Sequence, residues 1–322
     1  MSATHSHEKD LNGPLSILLS AGPEKLSSRQ ADQAALVLRL GLGSVFVVGG
    51  WWKLQRAIDA TRSSDLVEKY TASNGYINEF FQSYLFADGW ISAWGFLTAL
   101  SAFELVAGIA LVAGIFVRPL AIVFGLLMWS FVAALPVSTV PGQEVAVSTF
   151  FTPALIVQIR DVGLSGMCFA LAALGSGVYS LDERLTGRGL GVERADWKSL
   201  GLLLRLSVAV AFLAGGFFYG LDHVKSWSGI PLLLALVGIV LASGHGVRLA
   251  AGVAFAVLAI YCVGKISFDK SLWDNLNAVK REFAFLAACL VLMRFSGGAG
   301  FRVNDLVAAP RDVFFGRART EA

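Results

Sequence analysis

Residues 91–136 read ISAWGFLTALSAFELVAGIALVAGIFVRPLAIVFGLLMWSFVAALP, and this stretch decides the fold. Two apolar runs, 91–114 and 117–136, flank a short turn, and each is long enough to be a membrane helix, which needs about 20 mostly apolar residues. Neither run shows the alternation of an outer-membrane barrel, so strands are not expected. Outward from it, six more apolar segments fall at roughly 34–52, 150–174, 200–221, 229–243, 247–264 and 282–296. The sixth and eighth in chain order, 229–243 and 282–296, are the shortest of the set.

The whole chain agrees. It has 322 residues, of which 56% are hydrophobic and 15% charged, with a mean hydropathy of +0.66. Soluble domains carry about 25% charged residues, so the surplus apolar surface belongs in lipid. The expected fold is all-α: a polytopic membrane helix bundle of about eight transmembrane helices. Cys168, Cys262 and Cys289 are dispersed in apolar runs and read as small buried hydrophobes. A net charge of +3 is too weak and scattered for nucleic acid.

With eight spans and the amino terminus inside, sixteen of the 26 Lys and Arg residues, Arg39 and Arg205 among them, fall on the inner side. That asymmetry predicts both termini in the cytoplasm of a bacterial-type inner membrane. Trp51, Trp52, Trp90, Trp94, Trp227 and Trp273 then sit near the outer interface. Residues 1–33, polar and broken by Pro14 and Pro23, read as a cytoplasmic tail, and 306–322 as a second one.

A polar linker, 183–199, divides the chain into 34–182 and 200–305. The halves look alike. Arg39-Leu-Gly-Leu-Gly-Ser-Val-Phe-Val-Val-Gly-Gly50 aligns with Arg205-Leu-Ser-Val-Ala-Val-Ala-Phe-Leu-Ala-Gly-Gly216. Gly114-Ile-Phe-Val-Arg118 aligns with Gly244-His-Gly-Val-Arg248, and Ile159-Arg160-Asp161 with Lys280-Arg281-Glu282. Three matches in order predict a parallel four-helix repeat. Only the first half has a long outer loop, 53–89, and its aromatic residues predict an amphipathic helix across the outer face.

Ionisable groups inside a span are functional candidates by default. Glu104 lies midway along its run with no basic residue within ten positions, and must pair across helices or take up a proton. It is a candidate proton carrier, or a structural hydrogen-bonding group. The aligned position in the second half is Leu234. Arg160 and Asp161 open the fourth helix, and adjacent helical residues point apart, so each is expected to reach another helix. Lys53 lies at the same level, so Lys53, Arg160 and Asp161 can meet beside Trp51 and Trp52 in an electropositive, aromatic-lined pocket. The plainer alternative is interfacial anchoring by Trp and Lys. No haem, flavin or metal motif is visible, and of the four histidines His223 and His245 fall at opposite faces.

Three stretches together resemble the DoxX/DoxD superfamily of four-helix membrane proteins: RLGLGSVFVVGGWWKL (39–54), FELVAGIALVAGIFVRPLAIV (103–123) and QIRDVGLSGMCFALAALGSGVYSLDERL (158–185). The second half is similar to a degenerate copy. DoxD is a membrane subunit of thiosulfate:quinone oxidoreductase, and other DoxX-like proteins anchor redox or detoxification enzymes. The resemblance therefore implies a quinone-linked subunit of a respiratory oxidoreductase, with quinone as bound substrate and a soluble or membrane redox partner. In that scheme Glu104 holds a proton, Arg160 and Lys53 position an oxyanion or a quinone oxygen, and Asp161 orients Arg160. A non-catalytic scaffold docking a partner through 53–89, and a transporter with its site at Glu104, are the alternatives.

Overall fold

A computed structural model describes residues 22–72, 75–134, 153–187, 194–217, 227–298 and 300, and the side chains within all of these except 153–158 and 194. The protein is an all-α polytopic membrane bundle. Among the described residues its helices are α1 (Ser28–Ile58), α2 (Ser63–Thr71), α3 (Glu79–Phe86), α4 (Ala93–Ala113), α5 (Val117–Ala134), α6 (Pro153–Leu174), α7 (Leu181–Thr186), α8 (Trp197–Phe217), α9 (Pro231–Ser243), α10 (Val247–Lys265) and α11 (Leu272–Phe295). Among them α1, α4, α5, α8 and α10 are long and apolar enough to cross a membrane. The predicted edges at 150–152, 135–136 and 218–221, together with His223 and the tail 306–322, lie outside the described residues.

Several boundaries move. The first span is longer than 34–52: α1 has 31 residues, about 45 Å at 1.5 Å per residue, and its last turns rise beyond a hydrocarbon core of about 30 Å. The eighth is also longer than 282–296, because α11 begins at Leu272 and carries Lys280, Arg281 and Glu282 inside the bundle. The loop 53–89 holds the end of α1 and two short helices, α2 and α3, rather than one. The linker holds α7 and, against expectation, a strand. β2 (Arg194–Asp196) pairs antiparallel with β1 (Lys25–Ser27), with Lys25 opposite Asp196 and Leu26 opposite Ala195. The buried Leu26, Ala195 and Trp197 hold this clasp where α1 and α8 begin.

Helix partners follow one scheme in both halves. α1 packs on α4 as α8 packs on α9, α5 packs on α6 as α10 on α11, and α1 meets α11 as α8 meets α6. The turns correspond as well. Gly114 and Gly244 both have φ +81°, and Phe116 at φ 51° matches Gly246 at φ 60°. Beneath each first glycine lies a buried arginine. Arg39 donates to the carbonyls of Ser176 (2.9 Å) and Tyr179 (2.7 Å), and Arg205 donates to that of Gly300 (2.7 Å). A Cβ at Gly114 or Gly244 would collide with the Nη1 of its arginine. Arg39 and Arg205, counted in the sequence among the inner-face charges, are 2% and 0% exposed.

Candidate functional site: a charged cavity under an aromatic roof

The site is built where α1, α4, α5, α6 and α11 meet, at the end of the bundle remote from the clasp. Gly50 sets the first distance. A methyl there would lie 2.5 Å from the backbone nitrogen of Leu105, so glycine alone lets the α4 backbone lie against α1, as small residues do in membrane helix pairs. One turn later Lys53 reaches Glu104, with Nζ to Oε1 at 2.6 Å. Both are buried, Lys53 6% and Glu104 3% exposed. The lone carboxylate of α4 is thus answered from α1, the cross-helix pairing its isolation demands.

Arg160 and Asp161 diverge but end on the same neighbour. Arg160 Nη1 donates to Glu282 Oε1 (3.0 Å), and Arg281 Nε donates to Asp161 Oδ1 (2.8 Å). An Arg-acid pair on α6 and an Arg-acid pair on α11 therefore exchange partners, arginine to acid in both directions. Arg160 and Asp161 each reach another helix, as their adjacency predicts, and the role the resemblance implied for Asp161, orienting Arg160, is not what its carboxylate does: it is engaged by Arg281. Glu282 Oε1 also accepts from Trp227 Nε1 (3.1 Å). Among the described residues Glu282 Oε2 and Arg160 Nε have no hydrogen-bond partner.

Beside these ion pairs lies a cavity of about 560 Å³, within the range of about 300–1,000 Å³ common for small-molecule sites. Its charged end carries Lys53, Glu104, Arg160, Asp161, Lys280, Arg281 and Glu282. Its walls are aromatic and aliphatic: Phe46, Trp52, Phe96, Leu97, Leu100, Leu127, Met128 and Phe131. α4 and α5 follow each other in the chain, yet they barely touch, since α4 packs on α1 and α5 on α6. The cavity occupies the gap between them.

α2 and α3 form the roof. Leu66, Ile77 and Leu97 are buried there with Ala57, and Tyr70, Phe81 and Phe96 pack around them. Asn78 holds α3 to the end of α5, its N–H donating to the Ala134 carbonyl (2.7 Å) and its Nδ2 to that of Ala133 (2.9 Å). Gln82 Nε2 donates to the carbonyls of Thr71 and Ile77, tying α3 to α2. Burial, then the nearby Glu104 charge, push the Tyr70 phenol above its usual range, so it remains a hydrogen-bond donor facing the cavity.

The two tryptophans part company. Trp52 lines the cavity, donates to Asp274 Oδ1 (2.8 Å) and stacks under the Arg56 guanidinium (3.9 Å). Trp51, one residue earlier, points away and packs on Trp273 (5.7 Å). Of the six residues singled out in the sequence, Lys53, Glu104, Arg160, Asp161 and Trp52 share one cavity, and Trp51 does not. Lys280, Arg281, Glu282, Tyr70 and Asp274 were missed as site residues. The match of Lys280-Arg281-Glu282 to Ile159-Arg160-Asp161 was the signal for three of them.

Fold and site together define a multi-pass helical membrane protein with an amphipathic chamber beneath a polar-aromatic cap. The DoxX family model matches residues 34–137, about a third of the chain. That match spans α1 to α5, and so covers Lys53 and Glu104 but not the Arg160–Glu282 and Asp161–Arg281 pairs. No curated protein and no solved structure gives a significant match.

Proposed function

We propose that this chain is the membrane subunit of a quinone-linked oxidoreductase, and that its chamber takes the quinone headgroup. The chamber itself carries the proposal: an apolar space between aromatic walls, closed at one end by buried hydrogen-bonding charges and lying between two membrane helices. A lipid-dissolved quinone has that polarity, and would enter between α4 and α5 without crossing water. The resemblance to DoxX/DoxD proteins supports the same reading and extends it to a reduced sulfur compound such as thiosulfate as donor. Two electrons from that donor, handled on a partner subunit, and two protons then convert quinone to quinol. Glu104, hydrogen-bonded to Lys53 at the chamber wall, is placed to hold one of those protons, and the two arginine–carboxylate exchanges fix the charged end.

On this proposal the two halves are copies of one four-helix unit, supported by the shared packing scheme and paired turns. Both termini lie in the cytoplasm, supported by the lysine and arginine count.

The test starts with the protein extracted in mild detergent and weighed intact by mass spectrometry. Co-purified quinone, and loss of donor-dependent quinone reduction in Glu104→Gln with the assembly retained, are the expected results. Full turnover in that variant would remove Glu104 from the chemistry. A second reading, a scaffold for a partner enzyme, is favoured by the exposed aromatic rim of Phe80 (64%), Tyr84 (76%) and Trp90 (93%). Deleting α3 would then release a stoichiometric partner while Glu104→Gln changes little.

A further inference from the structure

Four cations and three carboxylates meet at the charged end of the chamber. Lys53 takes Glu104, Arg160 takes Glu282 and Arg281 takes Asp161. Lys280 is left over. Among the described residues its Nζ donates to one neutral acceptor, Asn277 Oδ1, at 2.8 Å, although a lysine nitrogen carries more than one proton to give. Gly49 makes the room for it: a methyl at that position would lie 3.1 Å from Nζ. Both Gly49 and Lys280 line the chamber. Lys53, Arg160 and Arg281 already face carboxylates, and Lys69, the further cation of the lining, lies over the Trp52 ring at 5.1 Å on the roof helix α2; at the charged end an incoming acceptor oxygen therefore has most to gain from Lys280, where a hydrogen bond is still unmade.

We propose that Lys280, rather than Lys53 or Arg160, donates the hydrogen bond that holds the ligand's oxygen, with Gly49 as the seat that positions its Nζ. The ligand class follows: an amphiphile with an acceptor oxygen on a flat apolar head. This rests on the quinone reading of the chamber, where that oxygen is one of the two carbonyls.

The experiment titrates a short-tailed benzoquinone into the purified full-length protein, following Trp fluorescence for the Kd and infrared difference spectra for the quinone carbonyl stretch. Lys280→Gln should weaken binding at least tenfold and return the stretch toward that of the free quinone. Lys280→Arg should recover part of both. Gly49→Ala leaves every charge in place and sits in a helix that tolerates alanine, so it should weaken binding severalfold by displacing Nζ. It also serves if Lys280→Gln fails to fold. Wild-type affinity and an unshifted carbonyl band in both Lys280→Gln and Gly49→Ala would overturn the role of Lys280 while leaving the quinone reading intact. No binding by the wild-type protein would overturn both.

Discussion

The first half keeps a hollow beside Glu104, whereas the second half fills the corresponding place with Trp227. The correspondence can be followed at the helix contacts. Gly50 meets the Leu105 nitrogen as Gly216 meets the Ala235 nitrogen, which sets Glu104 opposite Leu234, and Leu234 is fully buried. Phe46 corresponds to Phe212, and Leu164 at the chamber wall corresponds to Phe285. In the second half Trp227 lies against both Phe212 (5.1 Å) and Phe285 (5.5 Å). What the halves share is frame: the buried arginine under a left-handed glycine, the close glycine contacts and the exchanged ion pairs. What they do not share is the lone carboxylate and the space beside it. Features present in both halves serve the frame, so what sets the site apart is to be sought in the features of one.

The sharpest way to break this comparison is to make the first half resemble the second. Lys53→Met alone leaves the Glu104 carboxylate buried without its cation, and should cost about 3–5 kcal/mol of stability. Adding Glu104→Leu, the residue the second half carries, should bring the double variant back to within about 1 kcal/mol of the wild type, because a packed apolar pair replaces a buried ionic one at little cost. Denaturation in mild detergent measures both. A double variant no more stable than Lys53→Met would mean that the two positions are not equivalent. Quinone reduction should be lost in the double variant, folded though it is.

The reverse operation hollows the second half. Trp227→Ala removes a 3%-exposed ring and the hydrogen bond to Glu282, and should destabilise the protein by about 3 kcal/mol, as large-to-small core changes do. A loss below about 1 kcal/mol would show that the ring fills nothing essential.

The spans were legible in the sequence because lipid imposes a length and an apolarity that composition cannot disguise. Their edges were not. Lys280, Arg281 and Glu282 cut the eighth span short on any hydropathy count, yet two of them are neutralised across helices at 3.0 Å and 2.8 Å and lie inside the bundle. For the same reason Arg39 and Arg205 read as face-marking charges, when carbonyls at the ends of neighbouring segments receive them. Glu104 was legible as a lone carboxylate in an apolar run. Its partner was not, since the pairing depends on how closely Gly50 lets α4 approach. Trp51 and Trp52 differ only by the 100° step of a helix, and that phase is fixed by packing on α11.

Where the halves agree, equal effects are expected. Gly114→Ala and Gly244→Ala each force a side chain into left-handed backbone at φ +81°, a cost of about 1–2 kcal/mol before any displacement of the arginine beneath. The two losses should match within about 0.5 kcal/mol and should add in the double variant, because each turn sits on a different arginine. A large loss at Gly114 with none at Gly244 would confine the buried-arginine frame to the first half.

The smallest effect on stability separates frame from function most cleanly. Leu164→Phe introduces the residue found at Phe285 into the chamber wall. Overpacking in a close-packed core costs about 1–3 kcal/mol, but Leu164 borders a cavity of about 560 Å³, so the larger ring has space to enter. Stability should change by less than about 1 kcal/mol, while quinone affinity falls at least tenfold because the ring occupies the space the headgroup needs. Affinity left unchanged would place the quinone elsewhere in the gap between α4 and α5, away from the exchanged pairs. A large loss of stability would mean instead that the chamber wall is as tightly packed as the second half, and that the hollow is not available to a ligand of that size.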